Sequence, residues 1–249
     1  MKISIILLAG ITTQDHYDLT SRTLESLSSS KGFNDCEFII VDNGSVIGGD
    51  VLAPVPDIYI RNKVNQGFTV GMNQGIKVAS GDILVLANND IRLSPNWIEV
   101  TQQVFEALED TGSLHFKMIP YDEPFNLSNK VWNTGKERWC HGSFYVIRKQ
   151  VFDDLGLYDE GYGLGGYDDW DLQYRIRKDG RWRLAYTNGA AFQHQDSSTY
   201  NTHDPESRRL KDENNLKYFQ KKYNTTKTPE QLLQEDFPDQ FSRSWKPFP

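Results

Sequence analysis

The stretch VASGDILVLANND, residues 78–90, decides the fold class of this chain of 249 residues. Its central apolar run, ILVLA, predicts a strand that is buried on both faces, because a half-buried strand alternates apolar with polar residues. The polar residues Asn88, Asn89 and Asp90 follow the strand directly. In parallel α/β sheets, ligands bind where buried strands end at their carboxyl edge. The stretch therefore predicts such a sheet and a candidate binding loop.

Strands and helices alternate through about the first 110 residues. Apolar runs predict strands at residues 3–8, in CEFIIVDNGS (36–45) and in DIYIRN (57–62). Apolar spacing predicts helices over residues 18–30, 68–79 and 95–108. This alternation indicates an α/β fold with a mostly parallel central sheet and flanking helices.

The second half of the chain is less regular. Strands are predicted in SLHFKMI (113–119), GSFYVIRK (142–149) and RWRLAY (181–186), and a terminal helix over residues 206–223. We find no repeat, low-complexity tract or linker in the sequence, so we expect one domain over residues 1–249.

Charge, cysteine content and hydropathy exclude several classes of protein. A net charge of −7 disfavours a protein that binds nucleic acid non-specifically through a positive surface. Cys36 and Cys140 are too few for a disulfide scaffold or a four-cysteine zinc site. The apolar run at residues 3–8 is too short for a signal peptide or a membrane span, and no later run approaches 18 apolar residues. We therefore expect a cytoplasmic protein with no membrane span.

Three carboxylates stand close together in GYDDWDLQYR, residues 166–175. A helix start explains two of them: Asp168 suits the N-cap position, while Asp171 can reach back to the cap and pair with Arg175. Asp169 has no structural role in this interpretation. Since acidic first turns are common, the residues of this segment leave a structural and a catalytic interpretation open.

Three other polar residues follow predicted strands and are candidates for ligand binding. Asp90 belongs to an oxygen-rich loop that could hold Mg²⁺ or Mn²⁺ against a diphosphate, although an ordinary turn is the alternative. Asp42 could accept hydrogen bonds from a nucleobase or a ribose, and it too could belong to a turn. His194 is by itself more typical of a structural histidine. The motifs of zinc proteases, P-loop proteins, Rossmann dehydrogenases and esterases are absent from the sequence.

Taken in order, these motifs resemble those of glycosyltransferase family 2, which has the A-type glycosyltransferase fold. NQGFTVGMNQGI (65–76) resembles the family's N-x-G-F…N-x-G-I segment, and residues 78–90 resemble its A-x-G-D…L-N-x-D segment. YDEGYGLGGYDDWDLQYRIRKDGRWRL (158–184) resembles its F-D-E…E-D-x-D-L…R…G segment, and a late histidine follows. The resemblance covers about residues 3–220. It implies a nucleotide-diphospho-sugar transferase fold and an enzyme that transfers sugars.

The resemblance also implies a donor site and a metal. Asp42 would contact the base or ribose of the donor, a nucleotide-diphosphate sugar of the UDP or dTDP type. Asp90 would hold Mn²⁺ or Mg²⁺ together with His194, although Asn88 and Asn89 replace residues that are often acidic in the family. The nucleotide-sugar-binding residues that it implies are Asp42, Asn65, Gly67, Asn73, Asn89 and Asp90.

The pair Asp168 and Asp169 matches the family's Glu-Asp pair, whose aspartate removes the proton of the acceptor hydroxyl. This match implies that Asp169 is the catalytic base and that transfer inverts the anomeric centre, with retention as the alternative. Trp170 and Tyr167 would stack on the acceptor, although core packing explains Trp170 equally well. The expected acceptor is a glycan. Because basic residues concentrate between Arg208 and Lys227, an anionic glycan or a nucleic acid stays an alternative.

We assign residues 1–110 to nucleotide-sugar binding, 111–205 to acceptor binding and catalysis, and 206–249 to a C-terminal helix and tail. Two alternatives to an active transferase stay open. A catalytically degenerate sugar-nucleotide-binding protein is favoured by Asn88 and Asn89. A nucleotidyltransferase is less favoured, because GITTQDHYD (10–18) has no lysine or arginine to hold phosphates.

Overall fold

The computed structural model describes residues 1–48, 52, 56–121, 123–125, 127, 131–133, 142–195 and 205–237. Its strands are β1 (Ile3–Ala9), β2 (Glu37–Asn43), β3 (Ile58–Asn62), β4 (Ile83–Asn88), β5 (Ile91–Leu93), β6 (Thr111–Ile119), β7 (Val131–Asn133), β8 (Phe144–Arg148) and β9 (Arg183–His194). Its longer helices are α1 (Gln14–Ser28), α2 (Phe68–Val78), α3 (Trp97–Ala107), α4 (Lys149–Leu155), α5 (Asp168–Asp179), α6 (Pro205–Lys222) and α7 (Pro229–Asp236). Cys140 lies outside the described residues.

The first half of the sheet is parallel, as the sequence predicts. Strands β3, β2, β1 and β4 lie side by side in that order, and each pairs in parallel with its neighbour. In this register Ala9 lies beside Asp42, and Leu8 lies beside Asn88. The polar residues that end β2 and β4 therefore lie at one edge of the sheet, which we call the carboxyl edge.

The second half makes the sheet mixed. Strand β8 runs antiparallel to both β4 and β6, while β6 pairs in parallel with β9. The short strands β5 and β7 each pair antiparallel with β9. The α/β class is confirmed, and parallel pairing is confined to the first four strands and to β6 with β9 among the described residues.

Both faces of the central strands are buried, as their continuous apolar runs predict. On one face, Ile5, Leu7 and Val85 pack in a cluster that includes Trp97 of α3. On the other face, residues such as Ile6 and Leu86 pack with α2, α4 and α5. A separate apolar cluster joins α5, α6 and α7.

Helix α1 begins four residues before its predicted start, because Thr13 serves as the N-cap. The Thr13 side chain accepts a hydrogen bond from the backbone N–H of His16 at 3.2 Å, which satisfies one of the free donors at the helix start.

Hydropathy in the described part of the chain gives no helix that is both long enough and apolar enough to cross a membrane.

Candidate active site

Asn43, at the end of β2, organises the loop that follows β3. Its side-chain nitrogen donates to Asn65 Oδ1 and to the carbonyl of Gly67, each at 3.0 Å. Its side-chain oxygen accepts from Asn62 Nδ2 and from the backbone N–H of Gln66, also at 3.0 Å each. Because Asn43 is 5% exposed, this four-way bonding fixes the loop that carries Asn65 and Gly67. Both residues thus lie at the carboxyl edge, where a donor was predicted.

Gly67 brings this loop against the glycine-rich segment that precedes α5. It adopts a φ of 87°, and a Cβ built on it would lie 2.5 Å from the carbonyl oxygen of Gly163 and 2.9 Å from the Cα of Leu164. The backbone N–H of Phe68 donates to the Leu164 carbonyl at 3.4 Å. A side chain at position 67 would therefore separate two loops that are in contact.

Asn73 of α2 forms hydrogen bonds with the segment before α5 and so joins the two. Its side chain donates to the Tyr158 carbonyl at 2.9 Å and to Glu160 Oε1 at 3.0 Å, and it accepts from the Tyr158 N–H at 3.1 Å. It is 1% exposed. These bonds give Asn73 a structural role, and its predicted contact with the nucleotide stays a prediction.

Asp42 is fully buried, and protein groups contact both of its carboxylate oxygens. The backbone N–H of Ser45 donates to one oxygen at 2.8 Å, and the hydroxyl of Tyr59 donates to the other at 2.7 Å. Arg61 lies 3.4 Å from the second oxygen, with about half of its side chain exposed. Burial and then the hydrogen bond to the Asp42 carboxylate raise the pKa of Tyr59. The predicted contact of Asp42 with a base or ribose stays a prediction, and Arg61 is the exposed cation beside it.

Asp90 and His194 lie together, as the resemblance implies. His194 Nε2 is 3.3 Å from Asp90 Oδ1, and both side chains are largely buried. The strands explain this contact: β5 begins directly after Asp90 and places Ile91 beside His194 in the sheet. The Gln195 N–H then donates to the Asp90 carbonyl at 3.0 Å.

Amide and backbone hydrogen bonds hold the loop before Asp90. Asn89 Nδ2 donates to Thr20 Oγ1 of α1 at 2.7 Å, and the Asn88 N–H donates to the Ser143 carbonyl at 2.9 Å. Among the described residues, no group of three or more His, Cys, Asp or Glu side chains is placed to hold a metal ion. Asp90 and His194 fit a cation of the Mg²⁺ or Mn²⁺ type, which uses few protein ligands when substrate phosphates and water supply the others.

The helix α5 does not begin as predicted. The N-cap is Tyr167, in a left-handed conformation with φ of 70°, so the prediction of Asp168 as the N-cap is wrong. Asp168 occupies the first helical position, and its Oδ1 accepts from the Gly166 N–H at 2.6 Å. It is 4% exposed. Burial, followed by the negative charge of Asp169, raises the pKa of Asp168 to about 7.

Asp169 is the more exposed member of the acid pair, since its side chain is only partly buried. Its Oδ1 accepts from the Trp170 N–H at 2.9 Å. A Cβ built on Gly142 would lie 3.3 Å from the Cβ of Asp169, so the residues just before β8 face this carboxylate. Trp170 and Tyr167 are also partly exposed and pack against the apolar cluster of α5, α6 and α7. Core packing thus accounts for part of both aromatic side chains, and their contact with an acceptor stays a prediction.

Asp171 is fully buried and does not reach back to the helix cap, so that prediction is wrong. Its Oδ1 accepts from the hydroxyls of Tyr162 at 3.2 Å and Tyr223 at 2.7 Å, and lies 2.7 Å from Lys222 Nζ. Its Oδ2 accepts from Arg175 Nε at 2.8 Å, which confirms the predicted helical pair. Asp171 therefore joins α5 to the C-terminal helix α6.

Residues 10–156 match the family model described as Glycosyl transferase family 2. The chain belongs to this family. The match confirms the resemblance and, at the level of the family, the enzyme class that the sequence predicts. The acid pair and α6 lie outside the matched residues of this glycosyltransferase, so the family match does not test their roles.

Known proteins are similar to this chain in sequence or in fold. The glycosyltransferase is 29% identical over 195 residues to the uncharacterized glycosyltransferase YwdF of Bacillus subtilis, covering 73% of this chain and 70% of that protein. It is similar in structure to S. aureus TarS 1-349 in complex with UDP-GlcNAc, with a TM-score of 0.64, 14% identity, and coverage of 98% and 74%. It is also similar to the mannosyltransferase PcManGT of Pyrobaculum calidifontis in complex with GDP-Man and Mn²⁺, with a TM-score of 0.65, 15% identity, and coverage of 92% and 66%. Two further matching structures are longer, and the glycosyltransferase spans 44% and 37% of them.

Proposed function

We propose that this glycosyltransferase moves a sugar from a nucleotide-diphosphate sugar to an acceptor hydroxyl, with inversion at the anomeric carbon. The observation that carries the proposal is that residues 142–143, just before β8, contact both the end of β4 and the acid pair. The Ser143 carbonyl accepts a hydrogen bond from the backbone N–H of Asn88 at the end of β4, and Gly142 faces Asp169. These contacts bring the partly exposed carboxylate of the acid pair next to the carboxyl edge, where donors bind in open α/β sheets.

The proposed chemistry divides between these two parts of the site. Asp169 accepts the proton of the acceptor hydroxyl as that oxygen attacks the anomeric carbon, which requires a carboxylate within hydrogen-bonding reach. Asp90 and His194 would hold Mn²⁺ or Mg²⁺, and the ion would supply positive charge for the departing diphosphate. Arg61 adds a second, partly exposed cation at the carboxyl edge. The solved complexes of similar fold with UDP-GlcNAc and with GDP-Man and Mn²⁺ support a nucleotide-sugar donor and a divalent ion.

The proposal also extends to the nucleobase and sugar of the donor and to the acceptor. A UDP or dTDP sugar is the donor that the sequence favours, and the acceptor is a glycan. The division of the chain at residues 110 and 205 and a cytoplasmic location stay predictions.

Donor binding is tested first, by thermal unfolding of the protein with a panel of nucleotide-diphosphate sugars. A ligand that binds the native state stabilises it by about 2.7 kcal/mol at one hundred times its Kd, so the correct donor should raise Tm. The increase should be larger with Mn²⁺ present. If no nucleotide sugar raises Tm with or without the ion, the donor-binding proposal is wrong.

The metal site is tested with Asp90→Ala and His194→Ala. Each variant should weaken Mn²⁺ binding in the presence of donor by about tenfold or more, because a site with two protein ligands loses half of them. The measurement is the Mn²⁺ concentration at which the donor-induced increase in Tm is half complete. Asp110→Ala removes an exposed carboxylate that pairs with Arg183, and should leave this concentration unchanged. Parent-like Mn²⁺ dependence in both site variants would place the ion elsewhere.

A catalytically degenerate protein that binds the donor without transferring its sugar is the second candidate function. It is favoured by the amides of Asn88 and Asn89, which leave Asp90 as the carboxylate of this loop. Release of free sugar from the stabilising donor separates the two candidates: an active transferase hydrolyses the donor slowly when no acceptor is present, whereas a degenerate protein leaves it intact.

A further inference from the structure

We infer that the C-terminal helix α6 completes the acid-pair site, with Asn215 and Lys211 acting as positioning residues for Asp168. The inference deepens the proposed function, on which it rests, because the proposed catalytic base belongs to this pair. Helix α6 lies beyond residues 10–156, the segment matched by the family model. The inference therefore depends on contacts within this chain.

Asn215 holds the glycine turn that leads into the acid pair. Its Nδ2 donates to the carbonyls of Gly165 at 3.0 Å and Gly166 at 2.9 Å, and the side chain is 6% exposed. Both glycines have positive φ, of 110° and 94°, and the next residue, Tyr167, is left-handed although it has a side chain. Such a conformation persists when its surroundings determine it. The two hydrogen bonds from Asn215 supply that restraint.

The restrained glycine turn also fixes the position of the Asp168 side chain. The Gly166 N–H donates to Asp168 Oδ1 at 2.6 Å, and this hydrogen bond lowers the pKa of Asp168 against the larger effects of burial and of Asp169. Asn215 binds the carbonyl side of the same glycine. A turn without Asn215 is free to rotate the Gly166 N–H away from the carboxylate.

Lys211 places a positive charge beside the same turn. Its Nζ lies 3.7 Å from a Cβ built on Gly166, while the Asn215 Nδ2 lies 3.5 Å from that point. Lys211 is partly buried, and burial lowers its pKa, whereas Asp168 and Asp212 raise it. Among the residues that the structure describes, the charged groups that face Asp168 are Asp169 from α5 and Lys211 from α6, and the phenol of Tyr158 lies near the pair from the segment before α5.

The C-terminal part of α6 is anchored to α5 and to the segment before it. This anchoring holds Asn215 and Lys211 in place. Lys222 Nζ lies 2.6 Å from Asp159 Oδ2 and 2.7 Å from Asp171 Oδ1. The Tyr218 hydroxyl donates to Asp159 at 3.2 Å. In contrast, Arg209 pairs with Glu206 and Glu213 on the exposed surface of the helix. The basic segment thus divides into an exposed part and a part that faces the acid pair.

The test for Lys211 is a titration of Asp168 by the ¹³C chemical shift of its carboxyl carbon, assigned with Asp168→Asn. Lys211→Met removes the cation that favours ionised Asp168, so the pKa of Asp168 should rise by roughly one unit. Lys211→Arg keeps the charge and should restore the parent value. Lys217→Met changes an exposed lysine of the same helix and should leave the titration unchanged. If Asp168 titrates in Lys211→Met as it does in the parent, the assignment of Lys211 is overturned.

The same titration tests Asn215, for which the chain offers a matched control. Asn215→Ala should raise the pKa of Asp168, because the Gly166 N–H is no longer held toward the carboxylate. Asn214→Ala changes the neighbouring exposed asparagine and should titrate like the parent. A parent-like titration in Asn215→Ala would overturn the role of Asn215. Since the titration needs neither donor nor acceptor, its outcome is independent of the donor-binding and donor-hydrolysis tests of the proposed function.

Discussion

Replacing Asp169 by asparagine should slow sugar transfer by about 10²–10⁴-fold, the usual contribution of a general base. The amide keeps the oxygen that accepts from the Trp170 N–H, so the start of α5 is preserved while the proton acceptor is lost. Donor binding should survive, because the proposed donor contacts lie on the other strand ends. The measurement is the rate of transfer at saturating donor, with the donor-induced shift in Tm as the check on binding.

Asp168→Asn is the matched variant for this experiment. Asp168 is buried and binds the Gly166 N–H, a hydrogen bond that the asparagine oxygen can retain. The native protein raises the pKa of Asp168 from 3.8 to about 7, so the native state binds more protons than the unfolded state between these values. Stability therefore falls as pH rises through this window, and Asp168→Asn should remove that dependence. If Asp168→Asn abolishes transfer and Asp169→Asn does not, the base is Asp168. If neither slows transfer, a mechanism without this base is the better explanation.

The sequence predicts the parallel half of the sheet well because its strands are buried on both faces. Their apolar runs are continuous, and the helices between them carry enough apolar residues to show a helical period. Strands β5 and β7 have three residues each, which is too short for any period to appear. The direction of β8 is equally hidden, since an antiparallel strand buried on both faces has the same apolar run as a parallel one.

In the candidate site, as in the sheet, the sequence predicts what local patterns and the resemblance determine. It does not predict what contacts between distant segments determine. The resemblance brings Asp90 and His194 together, and the pairing of β5 with β9 places them in contact. The N-cap of α5 could not be predicted from local preferences, because a left-handed tyrosine is stabilised by contacts with other segments. Asn43 and Asn215 were not predicted for a related reason: each acts by binding backbone groups that are distant in sequence.

Asp171→Asn should destabilise the protein by about 3 kcal/mol, since breaking a buried ion pair by removing one partner leaves a poorly compensated charge. Interpreted from the sequence alone as a helix cap or a surface ion pair, Asp171 would contribute about 1 kcal/mol or less to stability. The structure reverses this expectation, because the carboxylate is fully buried and contacts both Arg175 and Lys222. Asparagine keeps the acceptor for a tyrosine hydroxyl and loses the negative charge.

The free energy of unfolding in urea measures this effect, and Glu206→Gln is the matched control. Glu206 also pairs with an arginine on a helix, but about 63% of its side chain is exposed, so its loss should change stability very little. An equally small change in Asp171→Asn would mean that Arg175 is satisfied by the three carbonyls that it already binds, those of residues 155–157. A large change would show that the charge of Asp171 holds α6 against α5. Because Asn215 and Lys211 lie on α6, the geometry of the acid pair would then depend on a carboxylate that has no part in the chemistry.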